Sequence, residues 1–256
     1  MNATITVLGS GTSMGVPTIG CDCKVCTSQD ARDRRTRPSV LIQFGGYSVL
    51  IDSTPDFREQ ALRENIKRLD AVLYTHAHAD HILGLDDLRP LTFKREHKLP
   101  IYADDPTARI IERMFAYVFD PESTYSTRPQ VTLHRLNGAL NLFGAKFQPL
   151  KVMHGDTEIT AYRFGTAAYL TDFSTIPGPT IEALSGLDVL FLDALRRRPH
   201  PTHSSLDESL KIVQRLNPKR AFFVHMSHDL GHEETNRSLP ENVRLAHDGL
   251  KLEFEI

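Results

Sequence analysis

Four side chains that bind protons or metal ions lie within six positions of this chain: His76, His78, Asp80 and His81. They directly follow the apolar run 71–74, which is typical of a buried strand. Two imidazoles two residues apart can bind one ion, while the adjacent Asp80 and His81 point to another. The alternative is a polar loop whose histidines cap the following helix. Four ligand-type residues in six positions behind a strand favour metal binding over that alternative.

The three cysteines of the chain, Cys21, Cys23 and Cys26, are crowded into six residues. An odd number at this spacing is a poor disulfide framework and a good set of metal ligands. Three thiolates are one ligand short of a closed tetrahedral zinc site. The alternative is a set of unliganded thiols in a polar turn. Reduced thiols also indicate the cytoplasm.

Composition and charge indicate an ordinary globular protein. The 256 residues are 40% hydrophobic and 24% charged, which is enough to bury a sizeable core. Lys and Arg total 30 against 32 Asp and Glu, so no long-range field attracts nucleic acid or an anionic membrane. The sequence has no apolar stretch of the roughly 18 residues that a membrane-spanning helix needs, and no signal-peptide pattern at its start. We therefore expect a cytoplasmic protein with no membrane partner and with nucleic acid disfavoured as a ligand.

The candidate ligands must be positioned by strands and helices that alternate along the chain. Strands are predicted at 3–9, 39–45 and 47–53, the last two joined as a hairpin over two glycines. The other predicted elements are strands at 71–76, 99–104, 145–154, 159–165, 167–173, 219–227 and 249–256, helices at 57–69, 107–119 and 205–216, a helix beginning at His81, and a helix-to-strand step within 180–194. Strand runs interleaved with helices predict sheets covered by helices. Without a linker or a repeat, we expect a single domain over 1–256.

The segment THAHADH, residues 75–81, resembles the H-x-H-x-D-H signature of the metallo-β-lactamase-fold hydrolases. Further matches follow predicted strands in the family's order: His154 in VMHGD, Asp172 in LTDFS and His225 in FVHMSH. Each of these alone is more often a structural residue, and the ordered set is what supports the resemblance. The resemblance implies an α/β fold, an αββα sandwich with a binuclear metal site at one edge. The implied ligands are His76, His78 and His154 for one metal and Asp80, His81 and His225 for the other, with Asp172 bridging the two.

An N-terminal C-x-C-x-x-C motif with a late HxSH is similar to the PhnP-like cyclic phosphodiesterases within that family. If His225 serves the active site, His228 is free three residues later to complete the cysteine cluster. The resemblance thus implies a structural zinc site of Cys21, Cys23, Cys26 and His228. It also implies a homodimer.

A third segment, RRRPHPTHSS at 196–205, contains two histidines beyond a predicted strand. In PhnP-like and tRNA 3′-processing enzymes, a histidine from the corresponding segment faces the scissile phosphate. His203, just before a predicted helix, matches that context better than His200. The alternative for both is an ordinary loop residue.

A run of arginines comprises Arg32, Arg34, Arg35 and Arg37. These side chains are candidates either to bind phosphate or to coat a surface. Short basic runs are more often solvated, so we expect them on the surface. The three arginines at 196–198 are left without an assigned role.

The resemblance implies a metal-dependent phosphodiesterase acting on a small, cyclic phosphodiester. Two cations roughly 3.5–4 Å apart would polarise the substrate and lower the pKa of a shared water, so that a bridging hydroxide attacks in line. Asp80 would orient that nucleophile while binding metal. His203 would stabilise charge on the phosphate or donate a proton to the departing alkoxide. The active-site ligands suit Mn²⁺ and Zn²⁺ alike.

Three alternatives stay open at the level of the sequence. A tRNA 3′-end processing endonuclease uses the same metal core, but usually carries a substrate-gripping arm and no cysteine cluster. A pyrroloquinoline-quinone synthesis protein B-like oxygenase also has a thiolate zinc near its N-terminus, whereas the complete ligand set here favours hydrolysis. A non-catalytic zinc scaffold would turn over no phosphodiester despite full metal loading.

Overall fold

The computed structural model describes residues 1–93, 95–122 and 127–256. Its strands are β1 (Asn2–Gly9), β2 (Ser39–Phe44), β3 (Tyr47–Ile51), β4 (Ala71–Leu73), β5 (Leu99–Ala103), β6 (Val131–Arg135), β7 (Leu140–Leu142), β8 (Ala145–His154), β9 (Thr157–Phe164), β10 (Ala167–Leu170), β11 (Val189–Asp193), β12 (Arg220–Val224), β13 (Val243–Leu245) and β14 (Lys251–Glu255). Its α-helices are α1 (Phe57–Arg63), α2 (Ala79–Ile82), α3 (Asp105–Met114), α4 (Ala116–Phe119), α5 (Gly178–Ala183), α6 (Leu206–Leu216) and α7 (His232–Asn236), with 3-10 helices at Ala31–Asp33 and Leu83–Leu91. Among the described residues, every helix is too short or too polar to span a bilayer.

The described strands form two seven-stranded sheets. The first has the spatial order β14-β1-β2-β3-β4-β5-β6 and the second the order β13-β12-β11-β10-β9-β8-β7. One buried apolar cluster draws side chains from both sheets, such as Ile5 and Val49 from the first and Phe147 and Phe191 from the second. Each sheet also has an apolar cluster on its outer face, which packs against helices. The sheets therefore lie face to face with helices outside, which is an αββα sandwich.

Parallel pairing brings the carboxyl ends of several strands to one edge of the sandwich. Strands β3 to β6 pair in parallel in the first sheet, and β10 to β13 do so in the second. His76 follows β4, Asp172 follows β10 and His225 follows β12. The backbone N–H of Thr160 donates to the carbonyl of Thr75 at 3.0 Å, which ties the two sheets together beside these residues. The strand ends are thus the scaffold on which a site can form.

Most predicted strands are confirmed, including the hairpin of β2 and β3. The helix predicted for 57–69 ends at Arg63, because Asn65 soon afterwards adopts a left-handed φ of 54°. The helix predicted for 107–119 is two helices, because Phe115 leaves the helical conformation. The strands β6, β7 and β13 were not predicted from the sequence.

The expectation that the arginine run lies on the surface is wrong for Arg35, whose side chain is fully buried. Its guanidinium donates to the carbonyls of Ser227 and Leu230 and to the carboxylate of Asp33. A buried guanidinium needs such partners, since an unpaired buried charge is strongly destabilising. These bonds fix the backbone on both sides of His228, so Arg35 supports the position of one predicted zinc ligand.

Candidate metal centres and active site

The structure brings four predicted ligands together at the edge of the sandwich. This group is Asp80, His81, Asp172 and His225; it is buried, and its ligand atoms lie within 4.8 Å of one another. His81 Nε2 lies 3.2 Å from an oxygen of Asp80 and 3.3 Å from an oxygen of Asp172. His225 Nε2 lies 3.1 Å from the other oxygen of Asp172. Ligands at about 2.0–2.2 Å from one tetrahedral ion are separated by about 3.3–3.6 Å, so this group has the dimensions of a metal site.

A second group of ligand atoms lies beside the first. The ligand atoms of His76, His78 and Asp172 also lie within 4.8 Å of one another. The ring centroid of His154 lies 5.1 Å from that of His78 and 5.7 Å from that of His76. Asp172 belongs to both groups, with Oδ2 3.8 Å from His76 Nε2 and 3.1 Å from His225 Nε2. One carboxylate therefore lies between two sets of imidazoles.

The donor atoms of both groups fit divalent cations. Buried polar atoms in proteins are almost always hydrogen-bonded. The buried atoms of the cluster that have no hydrogen-bond partner are His76 Nε2, Asp80 Oδ2, His81 Nε2, His154 Nδ1 and both ring nitrogens of His225. Bound cations would provide partners for these atoms except at His225, where a neutral ring has one lone pair and Nε2 is the nitrogen that lies beside Asp172 and Asp80. Imidazole with carboxylate is a donor set that suits Zn²⁺ and Mn²⁺.

Burial and carboxylates act in opposite directions on the imidazoles. Burial lowers the pKa of His76 well below its ordinary value, and His81 lowers it further. His76 is therefore neutral, as an imidazole ligand must be. Burial also acts to lower the pKa of His81, but Asp172 and Asp80 outweigh it and raise that pKa well above its ordinary value. The buried carboxylates thus make a site that favours positive charge, which divalent ions supply when bound.

Asp52 and Thr75, which no sequence motif marks, orient His81. His81 Nδ1 lies 2.8 Å from Asp52 Oδ2, and the backbone N–H and hydroxyl of Thr75 each donate to the same carboxylate at 2.8 Å. With Nδ1–H donated to Asp52, the lone pair of Nε2 is left for a metal ion, as in many carboxylate–histidine pairs behind metal sites. The signal in the sequence is a single Asp directly after the apolar strand β3.

The backbone at three strand ends is strained in a way that directs side chains into the site. Asp52, Asp172 and His225 have φ angles of 62°, 56° and 57°. Non-glycine residues adopt this left-handed conformation at a cost, and such residues cluster at functional sites. Each of the three lies one or two residues beyond the end of a parallel strand. The chain turns sharply there and presents each side chain across the sheet edge.

His203 lies among the ligands and is oriented by Asp193, another residue without a sequence motif. His203 Nδ1 lies 2.7 Å from Asp193 Oδ2, and its ring centroid lies 4.6 Å from that of His154 and 4.7 Å from that of His225. Burial, together with His225, lowers the pKa of His203 to about 4. The ring is thus neutral near pH 7, and an anion bound beside it would favour the protonated form. A ring nitrogen of His203 also lies within 4.8 Å of the ligand atoms of His154 and Asp172. His203 is expected not to bind metal, and the metal content of a His203 variant tests that expectation.

A separate cluster consists of the three cysteines and His228. The Sγ atoms of Cys21, Cys23 and Cys26 lie 3.2, 3.5 and 3.3 Å from His228 Nδ1. A tetrahedral zinc ion, with sulfur at about 2.3 Å and nitrogen at about 2.0 Å, separates such atoms by about 3.5 Å. The backbone N–H of Cys26 donates to Cys23 Sγ and is the main reason that the pKa of the Cys23 thiol falls to about 7. The donor set and spacing fit a Cys₃His zinc site.

A family model described as a beta-lactamase superfamily domain matches residues 47–226. The chain belongs to this superfamily. A solved structure described as a new diphosphatase from the PhnP family is 62% identical to this superfamily member, with a TM-score of 0.94 over 99% of this chain and 98% of that chain. Zn²⁺-bound PqqB from Methylobacterium extorquens has a TM-score of 0.76 at 20% identity over 97% of this chain and 99% of that chain, a likeness in fold alone.

A curated relative from Porphyromonas gingivalis, named Octanoyltransferase, is 39% identical over 250 residues, or 96% of this chain. The chain spans 50% of that relative's length. The family match and the PhnP-family structure confirm the expected metallo-β-lactamase fold and the PhnP-like resemblance. The expected class of enzyme, a metal-dependent hydrolase, agrees with the description of that PhnP-family protein as a diphosphatase.

Proposed function

We propose that this superfamily hydrolase is a binuclear metal-dependent phosphoesterase that cleaves small, cyclic phosphodiesters. The observation that carries the proposal is the position of Asp172, which is shared by two adjacent groups of buried ligand atoms. In the proposal, His76, His78 and His154 hold one ion, Asp80, His81 and His225 hold the other, and Asp172 lies between them. Mn²⁺ and Zn²⁺ both suit these ligands.

The residues of the site have separate roles in the proposed reaction. When bound, two divalent ions polarise a phosphoryl group and lower the pKa of water toward neutrality. Asp80 orients the attacking water in line with the leaving oxygen. Asp193 accepts a hydrogen bond from Nδ1 of His203; when the ring is protonated beside the substrate phosphate, its Nε2–H donates a proton to the leaving oxygen or stabilises charge on the phosphate. Asp52 keeps His81 in the orientation that a ligand needs.

Diphosphates are a second candidate class of substrate. The protein that is 62% identical over nearly the whole chain is described as a diphosphatase. A diphosphate and a phosphodiester both present a phosphorus atom bonded to a leaving oxygen, so the same cluster suits both. The two substrate classes differ in the leaving group: a departing phosphate needs less protonation than a departing alkoxide.

The other activities each predict a distinct result. A tRNA 3′-end endonuclease would cleave precursor tRNA, a pyrroloquinoline-quinone synthesis protein B-like oxygenase would consume O₂, and a non-catalytic zinc scaffold would turn over nothing. Octanoyl transfer is not proposed for this chain. The three thiols of this chain lie together in the proposed zinc cluster. The Porphyromonas gingivalis protein also has a half that this chain does not match, and that half can account for the protein's name.

A substrate panel tests the proposal. The metal-loaded protein is assayed with bis-p-nitrophenyl phosphate, 2′,3′-cyclic nucleotides, ribose cyclic phosphates, nucleoside diphosphates and precursor tRNA, each with and without EDTA. EDTA-sensitive turnover of a cyclic diester supports the proposal, and a preference for diphosphates supports the second candidate. Cleavage of precursor tRNA alone, or no turnover at full metal loading, contradicts both.

The proposal extends to the organisation of the protein. We propose that residues 1–256 act as a single hydrolase domain, that the protein works in the cytoplasm, and that it forms a homodimer. The PhnP-like resemblance supports the homodimer, and three cysteines placed together with His228 as metal ligands instead of disulfides support a reducing compartment. Sedimentation analysis of the purified chain measures the oligomeric state directly.

Replacing Cys23 by Ala is expected to remove one zinc ion per chain and to destabilise the protein. We propose the Cys₃His cluster as a structural zinc site, and such sites contribute directly to the free energy of folding. The free energy of unfolding should fall by on the order of 5 kcal/mol, as measured by urea titration. The matched control is Asp22→Ala, an exposed neighbour that should keep both zinc and stability. Unchanged zinc content in the Cys23 variant would show that this cluster is not a zinc site.

The His203→Ala variant is expected to slow the chemical step while keeping both active-site metals. Loss of a positioned acid or charge stabiliser costs on the order of 10²–10⁴ in rate. The loss should be large for an alkyl leaving group and smaller for p-nitrophenolate, which needs little protonation. Equal losses would assign His203 to phosphate stabilisation instead of proton donation. Loss of a metal ion, measured by elemental analysis, would make His203 a ligand.

A further inference from the structure

A second histidine, His200, lies beside His203 on the loop that follows β11. The ring centroids of the two histidines are 5.1 Å apart. His203 in turn lies 4.6 Å from His154, so His200 is one ring further from the metal cluster. His200 is half-buried and belongs to none of the candidate metal groups found among the described residues. It borders the site without contributing to the proposed metal shells.

The conformation of the loop that carries His200 is fixed by its own residues. Pro199 and Pro201 flank His200 and restrict the backbone on both sides. The guanidinium of Arg196 donates to the carbonyls of Arg198 and Pro199, at 3.2 and 2.9 Å. His200 is therefore presented from a defined position.

The loop also packs closely against the turn that follows His154. Gly155 has a φ of 59°, and a Cβ at this position would lie 2.9 Å from Cγ2 of Thr202. Glycine permits both the left-handed conformation and the close approach. The loop at Thr202 therefore approaches closely the turn beside the proposed metal ligand His154.

Hydrogen bonds to Thr202 assign the proton of the neutral His200 ring. The backbone N–H of Thr202 can only donate, and it donates to His200 Nδ1 at 3.3 Å. Nδ1 is therefore an acceptor without a proton, and the neutral ring carries its proton on Nε2. The structure gives Nε2 no hydrogen-bond partner within the described part of the chain. A donor of fixed tautomer is thus left free at the border of the site.

We propose that His200 binds the part of the substrate beyond the scissile phosphorus, by donating Nε2–H to an oxygen of a second phosphate group. The inference rests on the proposed phosphoesterase function and assigns diphosphates as the substrate class that this histidine selects. Residues 195–204 include three arginines and no acidic residue, so the charge of the loop favours an anionic group. A phosphate oxygen is a strong acceptor for such a donor.

Calorimetry with a diphosphate that cannot be hydrolysed tests this role. The metal-loaded protein, in excess Mn²⁺, is titrated with adenosine 5′-(α,β-methylene)diphosphate and with AMP, which lacks the second phosphate. His200→Ala should weaken binding of the diphosphate analogue about tenfold or more, the effect of losing a hydrogen bond to a charged group. Its affinity for AMP should stay within about twofold of wild type, because AMP offers no group to His200.

Two further variants make the test specific. His200→Gln keeps an N–H donor and should restore part of the affinity for the analogue. His97→Ala removes an exposed histidine before β5 and should change neither affinity. Equal weakening of both ligands, unchanged binding of the analogue by His200→Ala, or a wild-type protein that binds the analogue no better than AMP would each overturn the proposal. Because binding needs no turnover, failure of the proposed function is seen separately, as no hydrolysis in the substrate panel.

Discussion

The Asp172→Asn variant should lose turnover by on the order of 10⁴-fold or more in kcat. Asp172 lies 3.1 Å from His225 Nε2, 3.3 Å from His81 Nε2 and 3.8 Å from His76 Nε2. Burial acts to raise the pKa of Asp172, but His225 and His81 outweigh it and hold that pKa well below its ordinary value. The side chain is therefore an anion shared by both ligand groups. An amide keeps its shape but removes the charge that we propose binds two cations.

Thermal unfolding with and without added metal distinguishes this loss from misfolding. An ion that binds only the folded protein raises the unfolding midpoint. We expect Mn²⁺ to raise the midpoint of the wild type and to leave that of Asp172→Asn nearly unchanged. Asp207→Asn, at an exposed carboxylate in the first turn of α6, is the control and should respond like the wild type. A variant that still bound two active-site ions would contradict the bridging role.

The cluster of candidate metal ligands could be predicted from the sequence because local patterns and a family resemblance mark its members. His76 and His78 share one segment behind an apolar run, and His154, Asp172 and His225 each close or follow a run with strand periodicity. Parallel strands end at the same edge of a sheet, so residues at those ends converge in space. Type and spacing marked the segment 76–81, and the resemblance to the metallo-β-lactamase-fold hydrolases was needed to add His154, Asp172 and His225 to the cluster.

The residues that support the cluster could not be predicted, because their roles depend on distant partners. Asp52 acts on a histidine 29 positions away, and the carbonyl acceptors of Arg35 lie 192 and 195 positions away. A single Asp after a strand, or a single Arg in a basic run, has no pattern that distinguishes burial from exposure. The helix breaks near Asn65 and Phe115 likewise come from local backbone conformations that helical periodicity does not contain.

The two sheets use the same arrangement to orient a histidine. In the first sheet, Asp52 after β3 lies 2.8 Å from Nδ1 of His81. In the second, Asp193 at the end of β11 lies 2.7 Å from Nδ1 of His203. Both carboxylates are fully buried, and burial raises the pKa of each, against the effect of nearby histidines. One pair orients a proposed metal ligand and the other a proposed proton donor, so one physical contact supports two different roles.

His225→Ala and His228→Ala, only three positions apart, should fail in opposite ways. His225 Nε2 lies 3.1 Å from Asp172 and 3.5 Å from Asp80, so its removal takes a proposed ligand from the candidate active site. We expect kcat to fall by on the order of 10⁴-fold in a folded protein that keeps its cysteine-bound zinc. His228 Nδ1 lies 3.2–3.5 Å from three sulfur atoms, so its removal should release that zinc and lower the free energy of unfolding.

The backbone explains why such close neighbours serve separate sites. A left-handed φ of 57° at His225 sends its side chain toward Asp172, while Arg35 fixes the carbonyls on either side of His228 and keeps that ring beside the cysteines. Zinc content, unfolding free energy and kcat are measured for both variants from the same preparation. A folded, zinc-loaded but inactive His228→Ala, together with an active but unstable His225→Ala, would mean that the two ligand assignments are exchanged. If each variant lost zinc, stability and turnover alike, the two metal sites would not be separable units of this protein.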